Sequence, residues 1–189
     1  MNIKQYNVLL AFLFLLFNSF TYIDNTQLSI NLMIAWFFVI AYVSYLPLSK
    51  SDIKKAIITK NKLQIYYWTG ILIYCIGYLL FAIDSSIIYL KLNTTYPLGL
   101  TGASMFAIGS ILLMLSTNNI KNKIKKNTSL ELLFDDCLLV FFGSLSFLIG
   151  SILFIIGYIN SYSIFFKYGL MAFIIGRLYF FYDSYLQLN

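Results

Sequence analysis

The chain has 189 residues, of which 60% are hydrophobic and 11% charged, with a formal net charge of +6 and no histidine. A soluble domain carries roughly 25% charged residues, so there is too little polar surface here to cover a water-soluble globule. The 18 phenylalanines and 16 tyrosines also exclude a solvated, disordered chain, and the expectation is an all-α, polytopic membrane protein.

Six apolar runs approach the roughly 20 residues a helix needs to cross a bilayer: 7–23, 29–48, 65–83, 98–115, 133–158 and 164–182. They lack the alternation of barrel strands, and backbone groups in lipid must be satisfied internally, so each is read as a transmembrane helix. Lys4 precedes the first run, but Asn18-Ser19-Phe20-Thr21-Tyr22 after it lacks a small-x-small cleavage pattern, so this run reads as a retained helix. Residues 1–50 then form an N-terminal two-helix hairpin. The next segment carries Lys50, Lys54, Lys55, Lys60 and Lys62, read first as topology determinants. Secondarily, Ile53 and Ile57 here, or Ile120 and Ile124 in the second basic loop, sit at i,i+4 among lysines and would suit a short surface helix touching anionic lipid.

The third run is expected to close at Asp84-Ser85-Ser86, and Pro97 stands before the fourth. A second basic loop holds Lys121, Lys123, Lys125 and Lys126, whereas the loops on the other side hold only Lys91 and Lys167. Short lysine-rich loops stay in the cytoplasm, so this asymmetry implies a multi-pass protein of the plasma membrane with both termini cytoplasmic. The positive charge is thereby a topology signal, and no nucleic-acid partner is implied.

All ten glycines lie between Gly70 and Gly176, and eight form pairs at one spacing: Gly70/Gly77, Gly102/Gly109, Gly143/Gly150 and Gly169/Gly176. Seven residues are close to two helical turns, so each pair marks one face on which another backbone can approach closely. The neighbours recur too. Gly70-Ile-Leu-Ile-Tyr-Cys-Ile-Gly-Tyr-Leu-Leu-Phe81 aligns without gaps on Gly143-Ser-Leu-Ser-Phe-Leu-Ile-Gly-Ser-Ile-Leu-Phe154, and Phe106-Ala-Ile-Gly109 recurs as Phe173-Ile-Ile-Gly176. The last four spans therefore read as two repeated hairpins, 64–116 and 130–185, packed through glycine faces and related by an axis along the membrane normal.

The segment Phe147-Leu-Ile-Gly-Ser-Ile-Leu-Phe154, followed after a turn by Phe173-Ile-Ile-Gly176, resembles the YrhK-like domain, a bacterial two-helix membrane module. The resemblance covers about 130–185, with a weaker echo over 64–116, and departs at Arg177, where the resembling segment has serine. It implies a helical hairpin in a bacterial membrane and no particular reaction.

Without histidine, imidazole bases and His metal ligands are excluded, and no phosphate-cradling loop is present. Cys75 and Cys137 read as small buried apolar residues rather than a CxxC site. No catalytic residue, metal site or cofactor is therefore assigned. Candidate polar sites are Arg177, Asp135 and Asp136. The two aspartates, with Glu131 and the capping-box form Thr128-Ser-Leu-Glu131, suit the first turn of the fifth span, the alternative being a cation or proton site at its inner mouth. Arg177 lies deep in the sixth span, either snorkelling to the inner interface or lining a polar cavity. A turn near Ser161 would set it level with Leu145 and about 13 Å from Asp136 along the axis.

The function expected on these grounds is a non-enzymatic packing module that binds membrane lipids, a membrane-protein partner or a second copy of itself. The alternatives are a small-solute transporter or channel using Arg177, and a lipid-modifying enzyme using the inner acidic cluster.

Overall fold

The computed structural model describes residues 28–92, 98–117 and 136–186, together with Gln5, Val8, Leu9, Phe12, Leu13 and Leu16. Regular structure among the described residues is entirely helical: α1 Leu28–Leu48, α2 Lys50–Ile58, α3 Lys62–Tyr89, α4 Leu98–Ser116, α5 Asp136–Asn160 and α6 Ser163–Leu186. The helices α3, α4, α5 and α6 are long and apolar enough to cross a membrane. These six helices are not the six expected spans, because α2 is the short lysine-rich segment. The first expected run, 7–23, falls largely outside the described residues, where its few described members are helical.

Local chemistry sets the breaks. Pro47 sits in the last turn of α1, where the missing N–H and the ring close a helix. Ser49 follows, its side chain buried and its hydroxyl donating to the Leu46 carbonyl at 3.2 Å. Its own carbonyl accepts the first N–H groups of α2, from Asp52 at 3.1 Å and Ile53 at 3.0 Å. Lys60, at φ 49, reverses the chain, and the Asn61 side chain then caps α3 by accepting from the Leu63 and Gln64 N–H groups. Ser161, at φ 56, makes the tight turn from α5 to α6.

Asp84 does not end its helix as expected. α3 continues to Tyr89, and the Asp84 carboxylate accepts from the Gly99 N–H at the start of α4. The first N–H groups of a helix have no partner within it, so Asp84 closes the neighbouring helix instead of its own.

Helices α3 and α4 form one antiparallel pair and α5 and α6 another. These pairs meet through α4 and α5, and α1 lies along α3. The glycines lie opposite one another within each pair. A Cβ on Gly70 would fall 3.0 Å from the Gly109 carbonyl oxygen, and one on Gly77 would fall 3.3 Å from that of Gly102. In the second pair a Cβ on Gly150 would fall 2.9 Å from the Gly169 carbonyl oxygen, and one on Gly176 would fall 2.9 Å from that of Gly143. The ring of Phe106 fills the space over Gly77 as Phe173 does over Gly150.

Residues that align between the two pairs meet at the centre. Ring centroids lie 5.6 Å apart for Tyr74 and Phe147, 6.0 Å for Phe81 and Phe154, and 5.9 Å for Phe106 and Phe173. These ring contacts join the two helix pairs. The core is thus a column of rings contributed by all four helices.

Small hydroxyls inside this column are satisfied locally. Ser110 donates to the Phe106 carbonyl at 2.7 Å, so its oxygen accepts from the Tyr74 hydroxyl 2.8 Å away. Removing that hydroxyl in Tyr74→Phe leaves no donor stranded, since Ser110 keeps its backbone partner. The expected loss is about 1 kcal/mol, measured as unfolding free energy in mild detergent.

Candidate functional site

Arg177 sits one residue past Gly176 on α6, and its side chain is 4% exposed. Its guanidinium turns inward between the helix pairs, donating to the Tyr78 hydroxyl on α3 and, at 3.5 Å, to the Tyr42 hydroxyl on α1. The Tyr42 and Tyr78 rings stack with centroids 5.1 Å apart, so two phenols from two helices converge on one cation. From below, the Phe147 ring lies 4.7 Å from the guanidinium carbon, and the Tyr78 ring 5.7 Å from it. Aromatic faces carry partial negative charge, and a desolvated cation–π contact contributes about 2 kcal/mol. Arginine suits such a cage better than lysine, because its flat, weakly hydrated head stacks and donates in several directions.

The cage breaks the likeness of the two helix pairs. Arg177 stands at the position of Ser110, and Tyr78 at the position of Ser151. Ser110 and Ser151 are fully buried, each donating to its own helix at 2.7 Å, and their helices α4 and α5 pack closely. On the other flank, α3 and α6 have no comparable backbone approach. Two of the largest side chains occupy the place of two of the smallest, and they hold the helices apart. The N-terminal part of the chain covers that flank. Phe38 and Tyr42 of α1 lie against Tyr78, the Trp36 Nε1 donates to Ser86 Oγ at 3.0 Å, and the Phe12 ring lies 6.0 Å from that of Phe181 on α6.

Asp136 is the first residue of α5, and Asp135, with the rest of the acidic cluster and Glu131, lies outside the described residues. Asp183, not singled out from sequence, is 7% exposed on α6. Cys75 and Cys137 are half-buried rather than fully enclosed. No group of three or more His, Cys, Asp or Glu that would hold a metal occurs among the described residues.

A smaller polar contact closes the opposite end. The Tyr158 hydroxyl on α5 donates to Asp84 Oδ2 at 3.5 Å, above Gly99, where any Cβ would run into that hydroxyl. This contact ties α3, α4 and α5 together.

Sequence reasoning found Arg177 but missed Tyr42 and Tyr78. Their one signal is depth: both are mid-span tyrosines, away from the interfacial belt where tyrosine is ordinarily placed. Comparison of the chain with family models, curated proteins and solved structures returned no match.

Proposed function

We propose that the chain is a six-span, non-enzymatic membrane module that binds lipids or a partner protein, built from two copies of one YrhK-like hairpin plus an N-terminal hairpin. Each copy holds together through its glycine faces, supported by the paired approach of Gly143 to Gly176 and of Gly150 to Gly169. The lysine-rich loops support a plasma-membrane protein with both termini on the cytoplasmic side. Arg177 serves as the internal joint by which the N-terminal hairpin is seated on the two copies.

The observation that carries this reading is the enclosure of Arg177 by Tyr42, Tyr78 and Phe147. A transport site exposes its polar group to water on at least one side during its cycle. A structural cation is instead held by fixed neighbours, a role that the two phenols and the ring around Arg177 support.

The test is native mass spectrometry of the protein extracted in polymer discs, paired with solute uptake into proteoliposomes. A lipid or membrane-protein companion retained in fixed stoichiometry, with uptake equal to that of protein-free vesicles, is the expected result. Ion-driven uptake abolished by Arg177→Gln would overturn the reading in favour of a transporter whose polar cavity Arg177 lines.

A further inference from the structure

The helix α2 presents an arc that no other described element covers. At about 100° per residue, Ile57, Lys50, Lys54 and Ile58 fall within roughly a third of its circumference. Ile57 is 63% and Ile58 68% exposed, and both lysines are exposed as well. Ala56, 1% exposed, lies on the far side, with α2 packed on α3. Asp52, the one acid of α2, is about 170° from the middle of the exposed arc, so it does not neutralise that arc's charge.

The placement is fixed as well as amphipathic. Buried Ser49 joins α2 to the end of α1, and the Asn61 cap joins it to the start of α3. The helix is therefore held across one end of the bundle, where the headgroup layer of a bilayer would lie. Lys60 and Lys62 extend the same basic stretch towards Tyr66, which is exposed at the first turns of α3.

We propose that α2 is a docking element for anionic phospholipid in the adjoining leaflet. Ile57 and Ile58 seat at the boundary of the acyl chains while Lys50 and Lys54, one turn apart, hold headgroup phosphate. Net charge on the lipid decides the preference. A zwitterionic headgroup offers the same phosphate, but its own cation offsets the attraction of the lysines. This proposal rests on the lipid-binding form of the module reading and names the lipid class.

The experiment uses the full chain carrying Cys75→Ala and Cys137→Ala, with a bimane reporter attached through Ser51→Cys, an exposed position beside the arc. The protein is reconstituted in equimolar phosphatidylcholine and phosphatidylglycerol, with one or the other lipid brominated as quencher. Brominated phosphatidylglycerol is expected to compete for the reporter about threefold better or more, with the preference lost in Lys50→Gln/Lys54→Gln and in high salt. A reporter at Ile152→Cys, exposed in the middle of α5, shows no preference. Equal quenching by the two lipids at Ser51→Cys overturns the proposal, as does a preference that survives both high salt and loss of the lysines. The salt arm needs no further substitution, so a folding defect in the lysine variant leaves the test decisive. Solute uptake by the same vesicles would sink the module reading while leaving the lipid preference standing.

Discussion

Gly150→Leu is expected to separate α5 from α6 and to cost about 3 kcal/mol or more, the upper end of overpacking penalties. The reason is what surrounds the new side chain. A Cβ alone would fall 2.9 Å from the Gly169 carbonyl oxygen and 2.8 Å from the Phe173 ring. The ring can turn, but the backbone of a packed helix cannot move without its neighbours. Alanine separates the aligned positions Gly77 and Gly150 more finely. At Gly77 the nearest backbone oxygen is 3.3 Å from the added carbon, a contact a small shift relieves. Alanine also favours a helix over glycine by about 1 kcal/mol, so Gly77→Ala is expected to be near neutral. Gly150→Ala, with the closer backbone oxygen, is expected to lose about 1–2 kcal/mol. Unfolding free energies from steric trapping in bicelles would measure both, and equal effects at the two positions would contradict the close backbone approach in the second hairpin.

Arg177→Ala is expected to release α1 while leaving α5 and α6 paired. The substitution removes charge-assisted hydrogen bonds worth about 1.5–3 kcal/mol each and a cation–π contact of about 2 kcal/mol. Against these stands the cost of burying the cation, several kcal/mol, which the variant no longer bears. The opposing terms leave a net loss of about 2 kcal/mol, set mainly by the two buried phenol hydroxyls losing their cationic partner. The location of the effect is more telling than its size. Tyr42 is the contact of α1 with this cage, so hydrogen exchange should rise along 28–48 and stay slow in α5 and α6. Arg177→Lys is expected to restore little, because a compact ammonium cannot stack on Phe147 and reach both phenols. Arg177→Ser with Tyr78→Ser reproduces the residues of the α4 and α5 flank. It should draw α3 and α6 together and expel α1 from its seat. Unchanged exchange in α1 in all three variants would remove Arg177 as the joint.

The helices were legible in the sequence because their lengths and lack of charge are physical requirements of the bilayer. The 29–48, 98–115, 133–158 and 164–182 runs coincide with α1, α4, α5 and α6 to within about four residues, whereas α3 runs from Lys62 to Tyr89, well past the expected end at 83. The Asp84 error has a specific cause. An acidic residue followed by two serines reads as a helix end, but in α3 the Ser86 hydroxyl is absorbed by the Ala82 carbonyl at 2.7 Å, and Asp84 serves the start of α4. Arg177 was legible as an anomaly, since a lone charge in lipid needs a reason. Its partners were not, because Tyr42 and Tyr78 are 135 and 99 residues away in the chain and join it only through tertiary packing. Alignment of the two helix pairs held the clue, in Ser110 facing the place of Arg177 and Ser151 that of Tyr78. Reading that exchange as a wedge required knowing which flank lies open.

The enclosure of Arg177 is tested most directly by hydroxyl-radical footprinting of the unsubstituted protein in lipid discs, read tyrosine by tyrosine. Tyr42 and Tyr78, 5% and 8% exposed, should be protected as fully as Tyr74 at 2%, while Tyr162 at 61% is modified readily. Modification of Tyr42 and Tyr78 at rates near that of Tyr162 would mean that water reaches the guanidinium, and Arg177 would then line a polar path rather than join α1 to the bundle.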